Sequence, residues 1–223
     1  MKNLKKKTSP RSAIHDNVVA FDQARQERNG LDLRAAQRFL NVLGAKRCTF
    51  QTFDDNAQRK DPKLSRIRHG SLSEHIDQLS EVNRRGAGVF VAVNRTDCKG
   101  RKRENIKRVR AVSLDLDGAP LDPVLQCKLK PHLVVETSPG RYQCFWRVKK
   151  LPLDKFKGVE RSIAKRFDGD PAIALLTQCT RLPGFYHRKS KPFPTRIVRV
   201  NEPIFGPEYH FDDVGLVHAE LVI

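Results

Sequence analysis

Residues 88–117 read GVFVAVN (88–94), then a run from Arg95 to Arg108 dense in Lys and Arg, then VRAVSLDLD (109–117). The two outer stretches are short, apolar and rich in β-branched residues, the pattern of strands. The second carries the chemistry. Side chains two apart on a strand project to one face, so Asp115 and Asp117 converge while Leu114 and Leu116 enter the core. Two carboxylates side by side at a strand end repel each other unless a cation stands between them. A hard divalent ion, Mg²⁺ or Mn²⁺, suits oxygen donors and leaves positions open for phosphate. Taken alone, Asp-x-Asp before Gly118 reads equally as a polar strand end entering a turn.

Outward from this pair, His132–Thr137 and Tyr142–Val148 form a second strand pair turning at Ser138-Pro139-Gly140. Leu153–Phe167 is helical by pattern, and Thr195–Val200 is a further strand. Residues 211–223 end in a short helix or strand. Towards the N-terminus, Ser71 opens a helix with Glu74 three residues on, a capping-box pattern, and its buried stripe is Leu72, Ile76, Leu79 and Val82. Residues 54–70 read as a loop and Cys48–Phe53 as a short strand. Leu33, Ala36, Phe39, Leu40 and Leu43 mark a helix face closed by Gly44. Residues 1–30 are polar and charged, with Lys5-Lys6-Lys7, and are expected to be a mobile basic arm; residues 31–223 are expected to be one domain. Intermixed strands and helices with short connections give an α+β class with a largely antiparallel central sheet.

The chain of 223 residues carries 43 Lys and Arg against 25 Asp and Glu, a formal charge of +18. That excess calls for a polyanionic partner, nucleic acid before membrane. No apolar run approaches the ~18 residues of a membrane span, and no secretory leader is seen, so a cytoplasmic location is expected. The five cysteines lack any CxxC spacing and read as reduced thiols. Neither a phosphate loop of the GxxxxGK[ST] type nor a nucleophile elbow is present.

A third carboxylate to complete a metal site comes from Asp168 or Asp170 in Phe167-Asp168-Gly169-Asp170-Pro171. The residue before a proline is held extended, which favours Asp170. The turn Thr137–Arg141 combines exposed amides, a hydroxyl and a cation, and reads either as a phosphate nest or as a plain hairpin turn. Arg181, His187, Arg188 and Lys189 offer phosphate ligands, with Phe185 or Tyr186 as a stacking surface, or the stretch is a solvated basic loop. Lys99, Arg101, Lys102, Arg103 and Lys107 make the 95–108 loop a candidate DNA grip. His132 reads as a satisfied strand histidine, and at least one of Phe145 and Trp146 is core.

The ordered series GVFVAVNRTD, ENIKRVRAVSLDLDG, LVVETSPGRYQCFWRV and GDPAIALLTQCTRLPGFYHRK resembles the RepB-like DNA primase domain of plasmids and phages, within the archaeo-eukaryotic primase superfamily. The resemblance runs from about Gly86 to Val200. It implies an RRM-like catalytic sheet using divalent metal, nucleoside triphosphates (NTPs or dNTPs) and a single-stranded DNA template. Asp115 and Asp117 fall in the first metal-binding motif and Asp170 best fits the third. Ser138 and Arg141 fall in the turn that meets the incoming phosphates, and Arg181 and Lys189 in the RLPG-type motif. Members often carry a histidine in the second motif, where this chain has Gln143. The resemblance also implies cooperation with a separate helicase or origin-binding protein. Two other readings share the features: a non-catalytic nucleic-acid-binding module and a metal-dependent nuclease.

Overall fold

The computed structural model describes residues 30–201 and the pair 209–210. The basic arm expected over 1–30 and the element expected over 211–223 lie outside the described residues, Gly30 apart. Helix α1 (Leu33–Val42) starts at Asp32, whose side chain accepts from Ala35 N at 2.9 Å, and buries Leu33, Ala36, Phe39 and Leu40. Strand β1 (Cys48–Asp54) pairs with β2 (Arg66–Gly70) on one side and β3 (Ala87–Ala92) on the other. Helix α2 (Leu72–Arg84) opens with the reciprocal Ser71–Glu74 box.

Strands β4 (Arg95–Thr96) and β5 (Ile106–Arg108) close the basic hairpin, and β6 (Ala111–Leu116) carries the Asp pair. After a short helix, α3 (Asp122–Gln126), β7 (Leu133–Ser138) and β8 (Arg141–Lys149) pair antiparallel. Helix α4 (Phe156–Phe167) follows, then β9 (Cys179–Arg181), β10 (Tyr186–His187), β11 (Phe193–Pro194), β12 (Arg196–Val200) and β13 (Tyr209–His210).

The strands divide between two main sheets. One runs β2-β1-β3-β9; the other runs β12-β7-β8, with β6 and β13 also on β8. Every pairing in them is antiparallel except β13 with β8. The antiparallel α+β class follows from the strand periodicities, whereas the division into two sheets depends on long-range pairing.

The core explains the arrangement. Phe50, Val89 and Val91 of the first sheet meet Ala111, Leu133, Val135 and Phe145 of the second in one cluster, with α1 and α2. Phe39 and Phe145 make an edge-to-face contact there, ring centroids 5.3 Å apart, a preferred geometry for aromatic pairs. The opposite face of the second sheet, with Val112, Leu114, Leu116 and Trp146, packs on α4. Phe145 and Trp146 are therefore both core, on opposite faces. Cys144 and Cys48 are buried free thiols, which burial pushes up to about 12 and about 11.

Two expectations are corrected. Residues 54–70 are not all loop, because β2 lies at their end. Its one apolar residue, Ile67, hid the alternation, and the strand is held by polar contacts: Arg68 Nε donates to Gln78 Oε1 at 2.7 Å, and His69 Nδ1 lies 2.9 Å from Thr49 Oγ1. Of the two rings offered for stacking, Phe185 is ruled out, since its ring is 2% exposed and sits in the core. The neighbouring Gly184 has φ +90, and a Cβ there would stand 1.9 Å from the Asp32 carbonyl oxygen. Its carbonyl accepts from Asp32 N and its N–H donates to Thr195 O, so the turn is clamped against the start of α1. No helix of the described residues is long and apolar enough to cross a membrane.

Candidate active site

Alternation along β6 puts Asp115 on the same face as Ala111, towards the first sheet, while Leu114 and Leu116 enter the core against α4. Asp115 lies opposite Gln143 in the β6–β8 register. Gln143 Nε2 donates to Asp115 Oδ2 at 2.9 Å, and Gln143 Oε1 accepts from Thr180 Oγ1 on β9. The hydroxyl donates to the oxygen, so the amide is oriented with its NH₂ towards the carboxylate. Thr180 thus joins the two sheets through Gln143, a role no local pattern in the sequence signals.

The loop after α4 separates the two candidates for the third carboxylate. Asp168, at φ +54, ends the helix and is exposed. Gly169 then packs so closely on β6 that a Cβ would meet Leu114 Cδ1 at 2.3 Å, and Asp170 N donates to the Asp115 carbonyl at 3.0 Å. The structure therefore brings Asp170, not Asp168, beside Asp115. The Asp170 side chain accepts from Ala172 N at 2.8 Å, capping a one-turn helix at Pro171–Ile173.

Asp117, at the end of β6, forms an ion pair with Arg141 Nη1, which reaches across the turn over Gly118. The β7–β8 turn at residues 138–141 is anchored by buried Glu136, which accepts from Gly140 N at 3.1 Å and from Arg196 Nε at 2.8 Å. Ser138 pairs with Arg141 at the mouth of the same turn. Burial pushes the Asp115 carboxyl up; the Gln143 hydrogen bond opposes this, and the negative charges of Asp117 and Asp170 add to it.

A carboxyl under this repulsion has the oxygen-donor chemistry that a hard cation takes. The negative charges of Asp117 and Asp170 both act on Asp115, the more buried group. Among the described residues no group of three or more acidic, His or Cys side chains already converges as a ligand set. Asp117 is turned to Arg141, and Asp170 to a backbone N–H.

Helix α4 covers the edge of β6, which among the described residues pairs only with β8. Glu160 Oε1 accepts from Ser113 N at 2.7 Å and from Ser113 Oγ at 2.8 Å, satisfying an edge donor. Burial pushes the Glu160 carboxyl up to about 8 from an ordinary value of 4.5. The folded state therefore keeps a proton that the unfolded chain loses, so this contribution is complete below the unfolded pKa and is lost as the pH rises through about 8. Glu160→Gln retains an acceptor for Ser113 without a titrating proton. Its melting temperature should decline less than the wild type's as the pH is raised from about 5 to about 8. Parallel melting curves for the two proteins across that range would refute the assignment.

The basic elements divide. Arg181, one of the expected phosphate ligands, is held in an ion pair. Its neighbour Thr180 faces Gln143, so Arg181 emerges on the other face of β9. There it forms a two-point ion pair with Asp55, at 2.9 Å for both bonds, and lies over the Phe90 ring at 4.6 Å. Arg188 N donates to the same carboxylate at 2.8 Å.

His187 Nδ1 lies 3.0 Å from Thr137 O, which can only accept; Nδ1 therefore carries the proton, and buried Nε2 has no hydrogen-bond partner among the described residues. Burial, followed by the charge of Arg181, lowers its pKa. Lys189 is exposed beside it. His132 is buried and accepts from Arg147 N at 3.1 Å, as a structural histidine.

In the 95–108 hairpin, Arg101 is tied down, donating to Thr177 O at 3.1 Å and to Cys179 Sγ at 3.3 Å. Lys107 donates to Glu104 O at 3.0 Å. Lys99, Lys102 and Arg103 are exposed. Lys99 and Lys102 line a cleft of about 860 Å³ against β1 and β2, with Gln51, Phe53 and Ile67.

A family model for the RepB DNA-primase N-terminal domain matches residues 55–202. The chain belongs to that family. It is 29% identical over 168 residues to mobilization protein A of Escherichia coli, covering 74% of this chain and 22% of that protein, so it spans about a fifth of that curated relative. Primase RepB′ has a TM-score of 0.62 at 23% identity, covering 85% of this chain and 62% of that one. The catalytic domain of primase RepB′ in complex with initiator DNA gives 0.61 at 24% identity, covering 85% and 94%. The AEP domain of the cyanophage S-2L primase-polymerase gives 0.65 at 13% identity, covering 86% and 98%. At these identities the structural likeness establishes the fold: the RepB-type domain has the architecture of primases and primase-polymerases. Its Asp115–Gln143–Thr180 contact bridges the two sheets of that architecture, and Asp170 reaches it from the loop that follows α4.

Proposed function

We propose that this domain is a template-directed primase, a nucleotidyltransferase that makes short primers on single-stranded DNA for plasmid or phage replication. The observation that carries the reading is the Asp115–Asp117 pair, with Asp170 docked beside it, on a RepB-type primase fold. Asp115, Asp117 and Asp170 are the residues that would hold Mg²⁺ or Mn²⁺. Such an ion, when bound, acidifies a coordinated hydroxyl and neutralises charge on a leaving phosphate.

The protein's own groups do the rest. Gln143 positions Asp115 and, being neutral, leaves the carboxylate to be balanced by other cations. Arg141, 44% exposed and paired with the 73% exposed Asp117, is the guanidinium best placed to receive the incoming triphosphate. Ser138 and the backbone of the 138–141 turn present donors beside it, while Lys189 and His187 stand on the β10 side. The cleft between the basic hairpin and the β1–β2 face suits the template. Phe53 and Ile67 are 39% and 46% exposed there, and Lys99 and Lys102 rim it, a combination that stacks bases and follows a phosphate backbone.

The test is synthesis on unprimed single-stranded DNA with labelled NTPs or dNTPs and Mg²⁺ or Mn²⁺. Short labelled products are expected, and comparing the two nucleotide sets names the sugar preference. Loss of the DNA itself without added nucleotide would point to a nuclease. Salt-sensitive DNA binding with no product in any condition would point to a non-catalytic binding module.

A further inference from the structure

Arg110 immediately precedes β6, five residues from Asp115, or about 16 Å at ~3.3 Å per strand residue. At this far end of the sheet lies a cavity of about 520 Å³, within the ~300–1,000 Å³ typical of ligand pockets. Lys46 and Arg47 of the α1–β1 turn, Arg95 of β4, Arg108 of β5, Arg110 and Arg147 line it, with no Asp or Glu among the described lining residues.

This concentration of charge is unfavourable on its own. Arg95 and Arg108 are register partners across the β4–β5 ladder, where opposed like charges destabilise a pair. Arg110 is only 5% exposed; its Nη2 donates to Arg47 O at 2.8 Å, but its Nε is buried with no hydrogen-bond partner among the described residues. Burial, with the charges of Arg108 and Arg95 adding to it, lowers the Arg110 pKa. Arg47 lies 3.8 Å from Glu74, but these side chains are 64% and 52% exposed. A solvated basic surface would not bury one of its guanidinium groups with a donor left over.

We propose that this cavity is a second phosphate-binding site, separate from the carboxylates, taking a phosphate of a nucleic-acid strand or of a free nucleotide. Guanidinium groups suit that ligand because their planar N–H forks match phosphate oxygens two at a time. A phosphate here supplies an acceptor for the arginine donors and the negative charge that separates Arg95 from Arg108. The site stands whether or not the carboxylates catalyse synthesis.

The test uses Arg95→Gln/Arg108→Gln, both exposed positions, with two probes: inorganic tripolyphosphate without divalent metal, followed by thermal shift, and a labelled oligothymidylate, followed by anisotropy across salt concentrations. Without ligand, the variant is expected to melt at or above the wild-type temperature, because a repulsive cross-strand pair has gone. A purely structural role for these arginines would instead lower it. Tripolyphosphate affinity is expected to fall about tenfold if the ligand is a free nucleotide. If it is a strand, the slope of log affinity against log salt falls by about 1.4, two contacts at about 0.7 each. If the variant melts lower, Lys46→Gln/Arg47→Gln reads the same affinities from the opposite wall. Equal affinity of variant and wild type for both probes, or a wild type that binds neither, overturns the proposal.

Discussion

Asp115→Asn is expected to remove primer synthesis by a factor of about 10³ or more, on the scale of losing a charge-stabilising group in a transition state. Asn has the shape of Asp and keeps an oxygen to accept from Gln143 Nε2, so the β6–β8 register survives. What it lacks is the charge. The Asp115 carboxyl is pushed up by burial and by Asp117 and Asp170, so its folded-state pKa exceeds the unfolded one; stability is present below the unfolded value and is lost as the pH rises through the folded one. The variant is spared that loss and should melt no lower than wild type at neutral pH. DNA affinity should stay level or rise slightly, since a negative charge near a polyanion has gone. Product gels, melting curves and anisotropy titrations on the same preparations check all three. A variant that synthesises primers at the wild-type rate would exclude Asp115 from the chemistry, and one that also loses DNA binding would reveal a folding defect. Gln143→Ala should act less strongly, by about 10–100-fold, as supports behind metal-binding groups do. As a positioning residue, Gln143 should recover most activity as Gln143→His and affect kcat more than KM.

Arg181→Ala is expected to destabilise the domain by about 3–5 kcal/mol, the usual cost of leaving one partner of a buried ion pair uncompensated. The side chains of Arg181 and Asp55 are only 15% and 6% exposed, so water cannot take over for the lost guanidinium. Asp55 would keep only the Arg188 N–H, and Phe90 would lose the cation over its ring. Asp55→Ala should cost a similar amount from the other side, while the double variant should cost clearly less than the sum, the mark of directly coupled partners. Urea unfolding of the four proteins closes the cycle. If Arg181→Ala left stability within about 0.5 kcal/mol of wild type yet raised KM for nucleotide, the arginine would be a triphosphate ligand, as its motif alone suggested.

These two residues show where the reading of the sequence succeeded and where it stopped. The side of β6 that Asp115 takes was legible because the two-residue period of a strand sends it opposite Leu114 and Leu116, a consequence of local backbone geometry. The Ser71–Glu74 box and the α1 stripe were legible for the same reason. The ion pair of Arg181 was not legible because its partner Asp55 lies 126 residues away, and no local pattern links them. Phe185 was offered beside Tyr186 as a stacking surface because a short aromatic motif carries no sign of which side the core lies on. Strand β2 was missed because its holding contacts are polar, and β9 because three residues show no period.

Beyond the resemblance carried by its ordered motifs, the sequence by itself determined the strands and helices with strong periodicity, the placing of Asp115 on the face of its strand opposite Leu114 and Leu116, and the net positive charge. These are local or summed properties, set by backbone period, capping and composition. Tertiary structure alone decided that Asp170 rather than Asp168 reaches Asp115, that Gln143 is oriented by Thr180, that Arg181 is held by Asp55, and that Arg95, Arg108 and Arg110 gather around one cavity. Each depends on contacts between distant segments, whose loop-closure entropy is repaid only when the whole core assembles.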